Sequence, residues 1–246
     1  MRFAAIADIH GNHLALEAVL EDIRKQGITD IVNLGDRFSG PLTAGKTADI
    51  LLALDAVTVR GNHDRYLIEQ PPEAMHASDR VAHGELTERH LDWLRSLPFS
   101  TIYRNEIYLC HATPADDNVY WLESVSPDGH VYLKPLEEIE ALAAGVDFPL
   151  ILCGHSHIPR AVRLSGGRLI VNPGSIGCPA YDDDLPHYHK VEAGHPFASY
   201  AILEKQGDSW LPVFRQVSYD HLAMAELAAK KGRAEWASGL ATGWLP

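Results

Sequence analysis

Along the first 110 residues the chain repeats one unit: a short apolar run, polar punctuation, then apolar residues at helical spacing. Phe3 to Ala7 (FAAIA) is the first run. Behind it Leu14, Leu16, Val19, Leu20 and Ile23 fall mainly on one helical face, which Gly27 closes. Ile31 to Leu34 (IVNL) is the second run, with a helix predicted around Thr47 to Leu54. Ala56 to Val59 (AVTV) is the third, and the spacing from Asp79 to Leu97 predicts one helix up to the Pro98 breaker. Short runs at Ser100 to Tyr103 and Ile107 to Cys110, joined by Arg104, Asn105 and Glu106, read as a hairpin.

The stretch from Ala112 to Lys134 carries Pro, Asp, Asn, Ser and Gly and is too long for a simple connection, so residues 112–134 are expected to form a lid loop. A helix predicted over Pro135 to Ala144 leads to PLILC (Pro149 to Cys153). RAVRL, GRLIVN, ASYAILEK and SWLPVFRQV then read as short strands, giving a second half of antiparallel appearance, and Tyr219 to Lys231 reads as a last helix. Neither a repeat nor linker composition divides the chain, so residues 1–246 are taken as one domain. The expected class is α/β, two sheets packed as a β-sandwich and flanked by helices.

Composition narrows the function. With 21 Lys+Arg against 33 Asp+Glu the formal charge is -12, which argues against a protein that holds nucleic acid by neutralising its phosphates. No stretch approaches the roughly 20 apolar residues needed to cross a bilayer, and MRFAAIADIHGN meets an acidic residue too early for a secretory signal, so a cytoplasmic protein is expected. The three cysteines, Cys110, Cys153 and Cys178, are far apart and fit neither a disulfide framework nor a thiolate zinc site.

Histidine changes the picture: there are 14. Five apolar runs end in a metal-competent residue or pair: Asp8 and His10, Asp36, Asn62 and His63, His111, and His155 with His157. In an α/β sheet ligands bind beyond the carboxyl ends of the strands, so five such ends would converge their groups on one site. Asp, Asn and His without thiolate suit two divalent ions such as Mn, Fe or Zn, one carboxylate bridging them. Taken singly, Asp-x-His after a strand is an ordinary cap beside a surface histidine, and Gly35-Asp36 an ordinary turn. Their recurrence after successive runs is what points to metal.

In order, D-x-H, G-D, G-N-H-D, a strand-terminal His and G-H-S-H, this set resembles the calcineurin-like metallophosphoesterase superfamily, in particular its small bacterial and archaeal phosphodiesterase-type members. The resemblance spans Asp8 to His157 and extends to Asn172-Pro173-Gly174-Ser175. It implies an αββα sandwich and a phosphoric ester hydrolase. One ion would be held by Asp8, His10, Asp36 and His157, a second by Asp36, Asn62, His111 and His155, with Asp36 bridging. His63, paired with Asp64, would be the acid for the leaving group. A hydroxide bridging the ions would attack phosphorus, and Arg37 is a candidate for gripping phosphoryl oxygens. The expected substrate is a small anionic phosphodiester or nucleotide-like molecule, with a monoester or dinucleotide polyphosphate as the alternative. The second block, Gly35-Asp36-Arg37-Phe38-Ser39-Gly40, lacks the Asp-Arg-Gly of the protein Ser/Thr phosphatases, and Ala112 rather than Gly follows His111.

Two readings compete. Gly40-Pro-Leu-Thr-Ala-Gly45-Lys46-Thr47 satisfies the P-loop expression, but four residues separate it from the IVNL run, where a phosphate loop should leave the strand directly. A metal-binding scaffold without turnover is the other; His63 and the complete ligand set speak against it. His187, His189 and His195 near Asp182, Asp183 and Asp184 read as a solvated loop. His13 reads as local, Tyr120 and Trp121 as packing for their loop, and a homo-oligomer is left open.

Overall fold

The structure is a computed structural model describing residues 1–246. In chain order the elements are β1 (Arg2–Ile6), α1 (His13–Lys25), β2 (Ile31–Asn33), α2 (Ala44–Leu52), β3 (Val57–Thr58), α3 (Asn62–Glu69), α4 (Ala77–Glu85), α5 (Glu88–Ser96), β4 (Ser100–Tyr103) and β5 (Ile107–Cys110). There follow β6 (Glu123–Val125), β7 (Val131–Leu133), α6 (Leu136–Leu142), β8 (Leu150–Leu152), β9 (Arg160–Arg163), β10 (Leu169–Asn172), β11 (Ala180–Asp183), β12 (His189–Glu192), β13 (Ala198–Gln206), β14 (Ser209–Val217), α7 (His221–Lys230) and α8 (Ala234–Thr242). Two five-stranded sheets, ordered β14-β13-β1-β2-β3 and β4-β5-β8-β10-β9, form the body.

The apolar runs are continuous because both faces of each inner strand are covered. Along β1, Phe3, Ala5 and Ala7 point between the sheets, where they meet Leu109, Leu150, Leu152 and Val171; Ala4 and Ile6 point outward to Leu16, Val19 and Ile23 of α1. On the far side Ile139 and Ala143 cover Ile151, Cys153 and Ile170. This is the expected α/β sandwich flanked by helices.

Differences from the expected elements have local causes. The helix predicted over Asp79 to Leu97 is two, because Thr87 starts α5: its hydroxyl accepts from His90 N (3.4 Å) while His90 Nδ1 accepts from Thr87 N (3.2 Å). His90 is thus a buried cap. The second half is not uniformly antiparallel: β10 pairs parallel with β8, as β8 does with β5, while β9 and β14 run antiparallel to their neighbours. The final helix α8 lay beyond the predicted elements.

The parallel pairs position the site. β1, β2 and β3 run in one direction in the first sheet, and β5, β8 and β10 share a direction in the second. Their carboxyl ends open onto one crevice between the sheets.

Candidate metal centre

At that crevice the chain takes backbone conformations it avoids elsewhere. Seven residues other than glycine have positive φ; five are Asp8, His10, Asp36, His155 and His157, and the other two form the Arg104–Asn105 turn. Left-handed backbone is uncommon for residues with a Cβ, and its concentration here marks a site that over-determines its geometry.

Close approach does the rest. A Cβ on Gly61 would lie 2.1 Å from Asp36 Oδ1, and Gly35 (φ 109°) would bring one to within 2.6 Å of Gly61 N. Only glycine at these points lets the β2 and β3 loops touch, and it puts Asn62 and His63 at the start of α3 beside Asp36, whose Oδ1 accepts from His63 N (3.0 Å). From the second sheet, Asn172 Nδ2 donates to Gly154 O (2.7 Å), Ser175 Oγ donates to Asp8 O (2.7 Å), and His155 N donates to Asp8 Oδ2 (3.1 Å). The Asn172-to-Ser175 segment therefore binds the two loops together.

Two groups of ligand-type atoms result, Asp8, His10 and His157, and Asp36, His111 and His155. Within the first, His10 Nε2 and His157 Nε2 are 3.1 Å apart and His157 Nε2 is 3.7 Å from Asp8 Oδ1. Within the second, His111 Nε2 is 3.2 Å from Asp36 Oδ2 and 3.1 Å from Asn62 Oδ1. So the structure brings Asp8, His10, Asp36, Asn62, His111, His155 and His157 to one place.

Tautomers follow from the carbonyls behind the rings. His10 Nδ1 donates to Ser39 O (2.8 Å), His111 Nδ1 to Leu34 O (2.8 Å) and His157 Nδ1 to Cys178 O (2.9 Å). On the neutral rings of His10 and His157 each Nε2 is then a lone pair aimed into the crevice. Burial lowers His10 to about 4, lowers His155 to about 3, and holds His157 well below its usual value, with neighbouring imidazoles adding to each shift. His10 and His157 thus face each other at 3.1 Å, acceptor to acceptor, with no proton between them near neutrality. A cation between them would relieve that contact, and the donor set fits a divalent metal ion.

Acidic groups divide. Desolvation raises Asp8, with the Asp36 charge adding to it, whereas the imidazolium charges of His111 and His63 overcome desolvation to hold Asp36 well below the carboxylate range. Against their own desolvation, the Asp36 carboxylate raises His111 to about 9, and Asp36 with Asp79 raises His63 to about 9.

Three expected roles change. Arg37 cannot reach a phosphoryl oxygen, because it is wholly buried with its guanidinium on Asp64, Thr58 Oγ1 and Val59 O. Asp64 does not pair with His63; its carboxylate accepts from the amides of Asp36 (3.0 Å), Arg37 (3.1 Å) and Gly61 (2.9 Å) and from Arg37. The partner of His63 is Asp79, whose Oδ1 lies 2.8 Å from His63 Nδ1. Asp79 sits in the first turn of α4, away from any strand end, so no strand-end signal points to it. Trp236 of α8, its ring 6.1 Å from that of His10, is also unforeseen.

Other expectations resolve nearby. His13 is local, bonded to Thr43 Oγ1 (2.7 Å). In the P-loop-like segment the Thr47 amide and hydroxyl are both taken by Thr43 O, the Thr43 amide donates to Gly11 O, and Lys46 points to solvent. His187 is exposed, but His189 is buried, so that loop is not simply solvated. Residues 112–134 hold the β6–β7 hairpin and a buried Trp121.

Paired carboxylate and imidazole groups at the ends of parallel strands, between two sheets flanked by helices, define a metal-dependent hydrolase. The chain belongs to the calcineurin-like phosphoesterase superfamily, whose domain it matches over residues 1–195, and it is a metallophosphoesterase. It is 29% identical to Uncharacterized protein MJ0912 of Methanocaldococcus jannaschii, over 95% of this chain and 94% of that one. Its fold is similar to the crystal structure of a metallophosphoesterase from Sphaerobacter thermophilus, with TM-score 0.75, 25% identity and 99% of each chain covered. No helix is long and apolar enough to cross a membrane.

Proposed function

We propose that the chain is a two-ion phosphoesterase that hydrolyses a phosphodiester or nucleotide-like small molecule. Asp8, His10 and His157 would hold one ion, and Asn62, His111 and His155 the other, with Asp36 shared. The observation that carries this is the pair of lone pairs facing at 3.1 Å on His10 and His157, beside a second group of the same composition. Divalent ions there supply Lewis-acid charge and an activated water.

The chain's own residues do the remaining work. Three backbone carbonyls fix the imidazoles, so no ring need turn when substrate arrives. Asp79 accepts from His63 Nδ1, and a protonated His63 keeps Nε2–H free for the departing alkoxide from its half-exposed place at the crevice. The acidic surface is no obstacle, since cations in the crevice attract an anionic ester.

A panel of bis-p-nitrophenyl phosphate, p-nitrophenyl phosphate and dinucleotide polyphosphates, each with Mn²⁺, Fe²⁺ or Zn²⁺, tests the reading. Expected are turnover that chelation abolishes, a faster diester than monoester, and a loss of about a hundredfold in His63→Gln. Metal-independent turnover would end it, and a faster monoester would move the reading to the alternative class.

A further inference from the structure

Three of the four site imidazoles are anchored through Nδ1 on the carbonyls of strand-end loops. His155 is not. What orients it is a different connection: a backbone hydrogen bond with Asn118, and the ring of Tyr120, whose centroid lies 5.0 Å away at 51°. That connection is pinned. Arg65 grips Asp117 with two bonds of 2.8 and 2.7 Å, Thr113 Oγ1 donates to Asp116 O (2.8 Å), and Trp121, the next residue after Tyr120, is buried.

The Tyr120 ring is fixed at its hydroxyl as well. His189 Nδ1 donates to His187 O (2.8 Å), so Nε2 of the neutral ring is an acceptor, and Tyr120 donates to it (3.0 Å). Tyr120 has then no second proton, and the 2.6 Å contact between the two phenols has Tyr181 donating to the Tyr120 oxygen. The order Tyr181, Tyr120, His189 is a single directed chain reaching from the crevice to β12. Its far phenol packs on the other ligand group, the Tyr181 ring 4.6 Å from that of His157.

We propose that Tyr120 is the positioning residue of His155, held by the hydrogen-bond chain through Tyr181 and His189, and that it sets the affinity of the second ligand group for its ion. The β11–β12 hairpin thereby acts on the metal centre without supplying a ligand. This rests on the two-ion reading above. Partners that orient a ligating imidazole are typically worth 10- to 100-fold in metal affinity, and His155 is held from the connection that carries Asn118 and Tyr120 rather than by a strand-end carbonyl.

The test is a Mn²⁺ titration of the metal-free full chain by calorimetry and electron paramagnetic resonance, with Tyr120→Ala and Tyr120→Phe beside the parent. Expected are two ions in the parent, a loss of about tenfold or more at one of them in Tyr120→Ala, and the other ion unchanged. Tyr120→Phe, which keeps the ring face but breaks the chain to Tyr181 and His189, should lose affinity at the same ion by an intermediate amount; a Tyr120→Phe protein as tight as the parent would overturn the part played by the chain. Tyr120→Leu carries the same expectation as Tyr120→Ala should the latter fail to fold. Two ions bound by Tyr120→Ala as tightly as by the parent, or both weakened equally, overturns the inference alone. A parent that takes one ion overturns the two-ion reading and this inference with it.

Discussion

The two ligand groups have the same composition, one carboxylate and two imidazoles, yet opposite electrostatic states. In Asp8, His10 and His157 the carboxyl is raised by desolvation and both imidazoles are lowered, so burial favours the uncharged form of all three. In Asp36, His111 and His155 the carboxylate is held down and His111 up, an internal ion pair at 3.2 Å. Their foundations differ in the same sense. Asp8 rests on the neutral hydroxyl of Ser175, whereas the loop of Asp36 rests on the buried Arg37–Asp64 pair. Identical residue types thus acquire different acid–base states from desolvation and the charges beside them, His111 and His63 holding Asp36 down while burial and the Asp36 charge hold Asp8 up.

The largest effect should come from the carboxylate common to both ions in the proposed arrangement. Asp36→Asn is expected to lower Mn²⁺-dependent diester hydrolysis by about four powers of ten, roughly 5.5 kcal/mol of barrier, and Asp8→Asn by less. Equal losses would erase the asymmetry, and an Asp36→Asn protein with full rate and both ions would remove the bridging role. Next comes stability. Arg37→Met leaves the Asp64 charge buried and should cost about 3–5 kcal/mol in denaturant unfolding. Ser175→Ala, which removes two neutral hydrogen bonds, to Asp8 O and from Cys178 N, should cost about 2 kcal/mol. Similar costs would mean that the two foundations do not differ as drawn.

The sequence made the strands and strand-end residues legible because each inner strand is buried on both faces, which prints an unbroken apolar run with Asp8, Asp36, His111 or His155 just past its end, and only Asn62 follows an edge strand. It could not show the carbonyls of Ser39, Leu34 and Cys178 that fix the rings, since every residue carries the same backbone acceptor and only the fold selects which one is used. Asp79 was hidden for a related reason: it meets His63 through the packing of α4 on α3. Arg37 looked like a phosphate grip because its neighbour in the chain is Asp36, but the side chain turns inward to Asp64. The parallel pairing of β10 with β8 was equally invisible, as a short strand between turns reads the same in either direction.

The smallest effect separates the groups by proton release. His111 must give up its proton to ligate, and in the metal-free protein Asp36 holds that proton to about pH 9. Below that value each pH unit should therefore strengthen ion binding at the second group by up to tenfold, flattening as pH passes about 9. Asp8 is likewise raised, so binding at the first group also releases a proton, but from a carboxyl whose charge desolvation suppresses rather than from an imidazolium that a carboxylate stabilises. Lengthening that contact distinguishes them. In Asp36→Glu the His111 value should fall and the pH slope at the second ion should shrink, with the slope at the first nearly kept. Calorimetry in buffers of different ionisation enthalpy counts the protons directly. A pH-independent second affinity would show that the Asp36–His111 pair does not exist in solution, and the contrast between the two groups would then reduce to their foundations alone.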